Sequence, residues 1–179
     1  MSTIILITGG QRSGKSSYAE RMALALSDRP VYMATARVWD EEFRHRIEKH
    51  QERRGKCWTN IEEEKYLSRH DLKGRVVLVD CLTLWCTNYF FDSGTDQVPN
   101  VDAILEELKQ EFDRLTTQDA TFIFVTNEIG SGGVSDNALQ RRFTDLQGWM
   151  NQYVASRADT VILMVSGIPV KIKGDAIHN

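Results

Sequence analysis

Cysteine is scarce in this chain of 179 residues: Cys57, Cys81 and Cys86 are the three it has. An odd number with no C-x-x-C spacing supports neither a disulfide framework nor a zinc site. Charge of one sign is missing as well. With 22 basic and 25 acidic side chains the net charge is -3, which argues against a general nucleic-acid binder. No apolar run approaches the length of a membrane span. The first such run feeds directly into two glycines and lacks the charged-then-apolar pattern of a leader peptide. There is no internal repeat, low-complexity block or linker. These absences lead to the expectation of one cytoplasmic domain over residues 1–179, long enough to bury a substantial core.

What is present is an alternation of two patterns. Nearly continuous apolar, β-branched runs occur at Ile4–Thr8, Val31–Thr35, Val76–Asp80, Thr121–Thr126 and Thr160–Ser166. Runs of that kind suit strands covered on both faces. Segments with helical spacing lie between them: Ser16–Leu26, Glu41–Arg54, Val101–Leu115 and Ala138–Arg157. Strands separated by helices predict an α/β fold, a mostly parallel sheet flanked by helices. The tail Ile168–Ile172 reads as an antiparallel edge strand in a hairpin with the fifth run. Asp92–Asn100 and Gly130–Asn137 read as loops.

The first strand ends in Gly9-Gly10-Gln11-Arg12-Ser13-Gly14-Lys15-Ser16, which fits G-x-x-x-x-G-K-[ST] at every fixed position. A loop that wraps a polyphosphate must turn successive N–H groups inward, and glycine adopts the necessary conformations at little cost. The helix that follows adds its positive end. Lys15 can bridge the β- and γ-phosphates, and Ser16 can place its hydroxyl on Mg²⁺. The competing reading is a chance glycine-rich turn, against which stand the strand before it and the helix after it. Such a loop holds a nucleoside triphosphate but does not identify the reaction.

Two further strand ends carry polar groups. Val76-Val77-Leu78-Val79 is followed by Asp80, which can serve a metal beside the phosphates or cap the next helix. Phe124-Val125-Thr126 is followed by Asn127 and Glu128, at the edge of a parallel sheet where ligands bind; turn chemistry explains them almost as well. On the helix expected over Glu41–Arg54, Arg46, His50 and Arg53 share one face, with Phe43 and Ile47 close by. Facing phosphates, the arginines would neutralise a leaving pyrophosphate. They would also disfavour protonation of His50, leaving a ring nitrogen free to attack phosphorus. By spacing alone, an ordinary boundary histidine on a salt-bridged surface is the favoured reading. His45 lies off that face, and His70 and His178 have no interpretable neighbours.

Taken in order, ITGGQRSGKSSYAE, VYMATA, DEEFRHRIEKHQERR, VVLVDCLTLW, VTNEIGSGGV and VSGIPVKIKG span nearly the whole chain. This set resembles the bifunctional adenosylcobinamide kinase / adenosylcobinamide-phosphate guanylyltransferase family of cobalamin biosynthesis. The resemblance implies a RecA-like P-loop core and two reactions. A nucleoside triphosphate, ATP or GTP, phosphorylates the aminopropanol hydroxyl of adenosylcobinamide. GMP then passes from GTP to adenosylcobinamide phosphate through a guanylylated histidine.

By the same resemblance the nucleophile maps to His50, closing the pattern Arg46-Ile47-x-x-His50. Nucleotide contacts map to the glycine loop, to Ala34, Thr35 and Ala36, to Gln51, Glu52, Arg53 and Arg54, and to Asp80. Glu62 is a further candidate, since a carboxylate suits the adjacent donors of guanine; it also reads as one acid of a surface run. Asp80 stands where some relatives carry Glu. Ser16 and Asp80 are the expected Mg²⁺ ligands, and a homotrimer is the implied assembly. Without the resemblance, a simpler small-molecule or nucleoside kinase and a nucleotide-driven switch stay open.

Overall fold

The computed structural model describes residues 1–37, 55–92 and 99–174. The strands are β1 (Thr3–Gly9), β2 (Val31–Ala34), β3 (Thr59–Glu62), β4 (Val76–Asp80), β5 (Thr121–Val125), β6 (Thr160–Val165) and β7 (Ile168–Lys173). The helices are α1 (Lys15–Leu26), α2 (Leu82–Asp92), α3 (Val101–Thr116) and α4 (Ala138–Arg157). The strands form one sheet in the order β3-β2-β4-β5-β1-β6-β7. All neighbours run parallel except β6 and β7, which are antiparallel.

The continuous apolar runs find their explanation in the two layers that cover the sheet. Along β1, Ile4 and Leu6 enter one core and Ile7 the other; along β5, Phe122 and Phe124 part from Ile123 and Val125 in the same way. On the first side lie α2, α3 and α4. They contribute Trp85, Phe90, Leu108, Phe112, Leu146, Met150 and Val154. On the second lies α1, whose Ala19 and Ala23 are fully buried against the sheet. Small side chains there let the helix approach closely, which brings its first turn to the carboxyl edge of β1. Central strands buried on both faces need apolar residues at every position.

Local signals set the helix ends. Asn100 caps α3 by accepting from Ala103 N–H at 3.2 Å, and Asn137 caps α4 by accepting from Gln140 N–H at 3.0 Å. The turn between β6 and β7 is Ser166-Gly167, with φ of 51° and 82°. Two consecutive positive angles give the turn whose twist matches a two-residue hairpin. The outer face of that hairpin carries Val165, Ile168, Val170 and Ile172, all exposed.

Two elements depart from the pattern expected of the sequence. β3 is an edge strand in which Ile61 is half-buried and its three neighbours are exposed, so it has no apolar run. α2 is apolar on almost every side and rich in aromatic and β-branched residues, which hides helical periodicity. It also takes Asp92 from the expected loop. The helix expected over Glu41–Arg54 lies wholly within 38–54, outside the described residues.

Candidate functional site

The glycine turn closes over the carboxyl end of β1. Arg12 (φ 56°) and Gly14 (φ 94°) both take left-handed backbone, and Ser13 N–H donates to the Gly10 carbonyl at 3.3 Å. Alternating backbone hands turn neighbouring N–H groups towards one centre, which suits an anion. A Cβ on Gly9 would lie 2.6 Å from the Met164 carbonyl oxygen, so no side chain fits there. At Gly14 a Cβ would stand 3.3 Å from Gly167 Cα. The loop therefore packs directly on the β6–β7 hairpin.

Lys15 opens α1 and is buried, with its Nζ donating to the Gly10 carbonyl at 2.5 Å and to Ser13 Oγ at 3.4 Å. Its ammonium thus sits within the curve of the loop. Burial lowers its pKa, while Cys81 and Asp80 pull in the opposite direction. Ser16 is half-buried in the first turn of the same helix. A cation held in so little solvent gains strongly from a polyphosphate that neutralises it.

Asp80 ends β4, in register with Ala34 of β2 on one side and Val125 of β5 on the other. It follows Leu78 on the α1 side of the sheet, and Tyr32 donates its hydroxyl to Asp80 Oδ2 at 2.7 Å. The carboxylate is thereby oriented towards the same layer as Lys15. The electrostatic coupling between the two is the sign of that shared environment. A hydroxyl at Ser16 and a carboxylate at Asp80 are the hard oxygen donors that Mg²⁺ takes, with water and phosphate oxygens completing its shell. Among the described residues no group of three or more His, Cys, Asp or Glu side chains could hold a metal ion.

Thr35 and Ala36 follow β2 along this edge. Thr35 is fully buried; its hydroxyl donates to the Cys81 carbonyl at 2.8 Å and accepts from Cys81 N–H at 2.9 Å. Asn88 of α2 donates to the carbonyls of Thr35 and Glu64, at 2.7 and 2.9 Å. These bonds hold the ends of β2 and β4 together. Cys81 is enclosed, and burial with the nearby Asp80 pushes its thiol up to about 12, so it stays neutral. Glu62 ends β3 in register with Ala34 and is exposed. Glu63, next along, is half-buried. Burial opposes its ionisation, yet the N–H groups of Lys65 and Tyr66 and the ring of His70 outweigh this and hold its carboxyl below the ordinary range.

At the end of β5, Glu128 N–H donates to the Gly9 carbonyl at 2.9 Å, and Glu128 Oε1 accepts from Gly130 N–H at 3.1 Å. Asn127 donates through its backbone and side chain to Thr83 Oγ1 at 3.0 and 3.1 Å. Gln147 of α4 donates to Thr83 Oγ1 at 2.6 Å and to the Asn127 carbonyl at 2.8 Å. The sequence pointed to Asn127 and Glu128 but not to Thr83, Asn88 or Gln147. A polar side chain interrupting an otherwise buried helix face, as Gln147 does beside Leu146 and Met150, was the available signal.

The described part of the candidate set therefore gathers at one edge of the sheet: Gly9–Ser16, Ala34–Ala36, Glu62 and Asp80. His50, Gln51, Glu52, Arg53 and Arg54 lie outside the described residues.

Comparison with known proteins covers nearly the whole chain. The family model described as cobinamide kinase / cobinamide phosphate guanyltransferase matches residues 5–172. The bifunctional adenosylcobalamin biosynthesis protein CobU of Escherichia coli (strain K12) is 38% identical over 181 residues, covering 95% of this chain and 99% of that protein. The corresponding protein CobP of Pseudomonas aeruginosa is 39% identical over 177 residues, covering 96% and 98%. Among solved structures, the ATPase EscN of an enteropathogenic E. coli type III secretion system aligns with a TM-score of 0.59 at 15% identity, over 92% of this chain and 43% of that one. A prototypical type III secretion ATPase aligns with a TM-score of 0.57 at 13% identity, over 90% and 50%. The chain thus spans half or less of those ATPases, and the likeness shows the P-loop ATPase fold alone. With the match running from the first strand to the last, the chain belongs to the cobinamide kinase / cobinamide phosphate guanyltransferase family.

Proposed function

We propose that this chain carries out both steps named for its family, as one unit over residues 1–179. In the first, the aminopropanol hydroxyl oxygen of adenosylcobinamide bonds to the γ-phosphorus of a nucleoside triphosphate, ATP or GTP, and the diphosphate leaves. In the second, a neutral imidazole nitrogen of His50 bonds to the α-phosphorus of GTP and pyrophosphate leaves. A phosphate oxygen of adenosylcobinamide phosphate then displaces the imidazole, giving adenosylcobinamide-GDP.

The observation that supports this reading is the buried Lys15 ammonium inside the glycine loop, electrostatically coupled to Asp80 at the neighbouring strand end. Loop N–H groups and Lys15 bind the phosphates and hold their charge in place. Ser16 and Asp80 would hold Mg²⁺, which when bound offsets charge on the leaving phosphates. Ala34, Ala36 and Glu62 line the approach for the base, with Thr35 buried beneath them tying β2 to β4 and Gln51, Glu52, Arg53 and Arg54 beside His50 completing the nucleotide contacts. The exposed apolar residues Val165, Ile168, Val170 and Ile172 support assembly of like copies, a homotrimer. Dependence on nucleoside triphosphates and on a biosynthetic intermediate supports a cytoplasmic setting. No described helix is long and apolar enough to cross a membrane.

A covalent label tests the reading. Incubation with α-labelled GTP and Mg²⁺ is expected to leave acid-labile, base-stable label on the protein. His50→Ala removes it, and Lys15→Ala weakens it through lost triphosphate binding. Full labelling of His50→Ala would overturn the assignment of the nucleophile. A simple kinase would leave no label at all.

A further inference from the structure

We infer that the cleft between α3, the loop after Gly130 and α4 is the seat of the corrin ring of the acceptor, an inference that rests on the function proposed above. The cleft measures about 980 Å³. That is the upper end of the range of roughly 300–1,000 Å³ typical of small-molecule sites, so it suits a large ligand. It is separate from the glycine loop, none of whose residues lines it.

Its lining matches a corrinoid in three respects. A corrin has broad methyl-bearing faces, and the cleft offers Trp149 and Val134, which are 44% and 88% exposed despite their size. A large exposed indole beside a polar wall is a stacking surface in search of an apolar face. The corrin rim bears primary amides, which pair with side chains that donate and accept, such as Ser135 and Thr144. Adenosylcobinamide is a cation at cobalt, and Asp102 and Asp145 supply carboxylates, set against Arg141 and Arg142 of the same lining, whose guanidinium groups are engaged by backbone carbonyls.

The walls are held in place from within the protein. Arg141 Nη1 donates to the carbonyls of Ser135 and Asp136 at 2.8 and 2.9 Å, and Arg142 Nη1 to the Pro99 carbonyl at 3.4 Å. Both arginines therefore brace the loop and the start of α3. Connection to the chemistry runs through Glu128. Its N–H is bonded to Gly9 of the phosphate loop, and its carboxylate to Gly130, the first residue of the cleft wall. A ring seated here sends its aminopropanol arm along that short run towards the phosphates. A nucleoside base has no need of so large a bed, and the phosphate loop lies next to it on the other side of Glu128.

The experiment measures steady-state kinase kinetics with adenosylcobinamide as the varied substrate, in wild type, Trp149→Ala and Ala138→Trp. The first variant removes the stacking surface; the second fills the cleft from an exposed position at the start of α4. Each is expected to raise KM for adenosylcobinamide by about tenfold or more while KM for ATP stays within about twofold. Sedimentation of each variant accompanies the kinetics. If one variant fails to fold, the other decides. Unchanged KM for adenosylcobinamide in a folded variant overturns the assignment while the proposed function stands. So does a change of oligomeric state with unchanged corrinoid KM, which would make the cleft a contact between copies. A wild-type protein that does not phosphorylate adenosylcobinamide at all overturns the proposed function, and this inference with it.

Discussion

The N–H of Gly167 donates to the carbonyl of Ser13 at 2.9 Å, tying the last hairpin of the chain to the loop that follows its first strand. Gly167 has a φ of 82° and touches the space beside Gly14. A Cβ at Gly167 would meet open space, but a β-branched residue in left-handed backbone costs about 1–2 kcal/mol.

Gly167→Val is therefore expected to lower unfolding stability by about 1–2 kcal/mol and, by straining the turn whose N–H holds the Ser13 carbonyl, to weaken nucleoside triphosphate binding several-fold. Denaturant unfolding and nucleotide titration on the same preparation check both. Wild-type affinity in the destabilised variant would show that turn and loop are energetically independent.

Lys15 presents a trade between stability and binding. Burial lowers its pKa below the ordinary 10.5, opposed in part by Cys81 and Asp80. A lysine whose pKa falls on folding destabilises the fold wherever it is charged. That penalty is present in full below the folded pKa and fades as pH rises towards 10.5. Lys15→Met is expected to raise the Tm of the nucleotide-free protein at neutral pH, with a gain that shrinks in alkaline buffer. The same change should weaken triphosphate binding by roughly 10- to 100-fold, the loss of a charged hydrogen bond. Thermal melts across pH, with and without nucleotide, separate the two effects.

Asn88 bridges the carbonyls of Thr35 and Glu64 from inside α2. Removing its amide leaves two acceptors unpaired, one of them buried with Asn88 itself. Asn88→Ala should cost about 2–3 kcal/mol in unfolding experiments, and Asn88→Asp more, because it adds an unpaired buried charge. A neutral result for Asn88→Ala would mean that the segment after β2 does not depend on this bridge.

Asp92 receives a bidentate pair from Arg37, at 2.7 and 2.9 Å, and Lys65 at 2.8 Å. Hydrogen bonds from Arg37 and then Lys65 hold its carboxyl far below the usual range, although the group is partly exposed. Its contribution is present above the unfolded pKa of 3.8 and is lost as pH falls through the lower folded value. Solvent screening limits it to about 1 kcal/mol at neutral pH. Asp92→Asn should lose that amount at neutral pH, and the gap from wild type should close in strong acid. Unfolding series at matched ionic strength would reveal a gap that fails to close.

How much could be read in advance follows from where each residue's determinants lie. The strands β1, β4, β5 and β6 were legible because both faces are buried, which writes itself as unbroken apolar runs. The glycine loop was legible because its backbone shape restricts residue types at fixed spacing. β3 was not, since an edge strand with exposed Thr59, Asn60 and Glu62 draws its stability from pairing with β2. α2 was hidden by burial on nearly every side. In the site, Asp80 announced itself at a strand end. Its orientation by Tyr32 and the clamp of Thr35 on Cys81 depend on strand order, which no local pattern carries. The same holds for Gln147, whose partners Thr83 and Asn127 come from distant parts of the chain.

The position of β1 between β5 and β6 has a consequence for synthesis. β1 is translated ahead of both of its neighbours and must wait for them, and the Ser13 carbonyl waits longer still, for Gly167. The glycine loop is thus completed only after β5, β6 and the hairpin turn have followed it, so a nascent chain carries an unfinished nucleotide pocket until then.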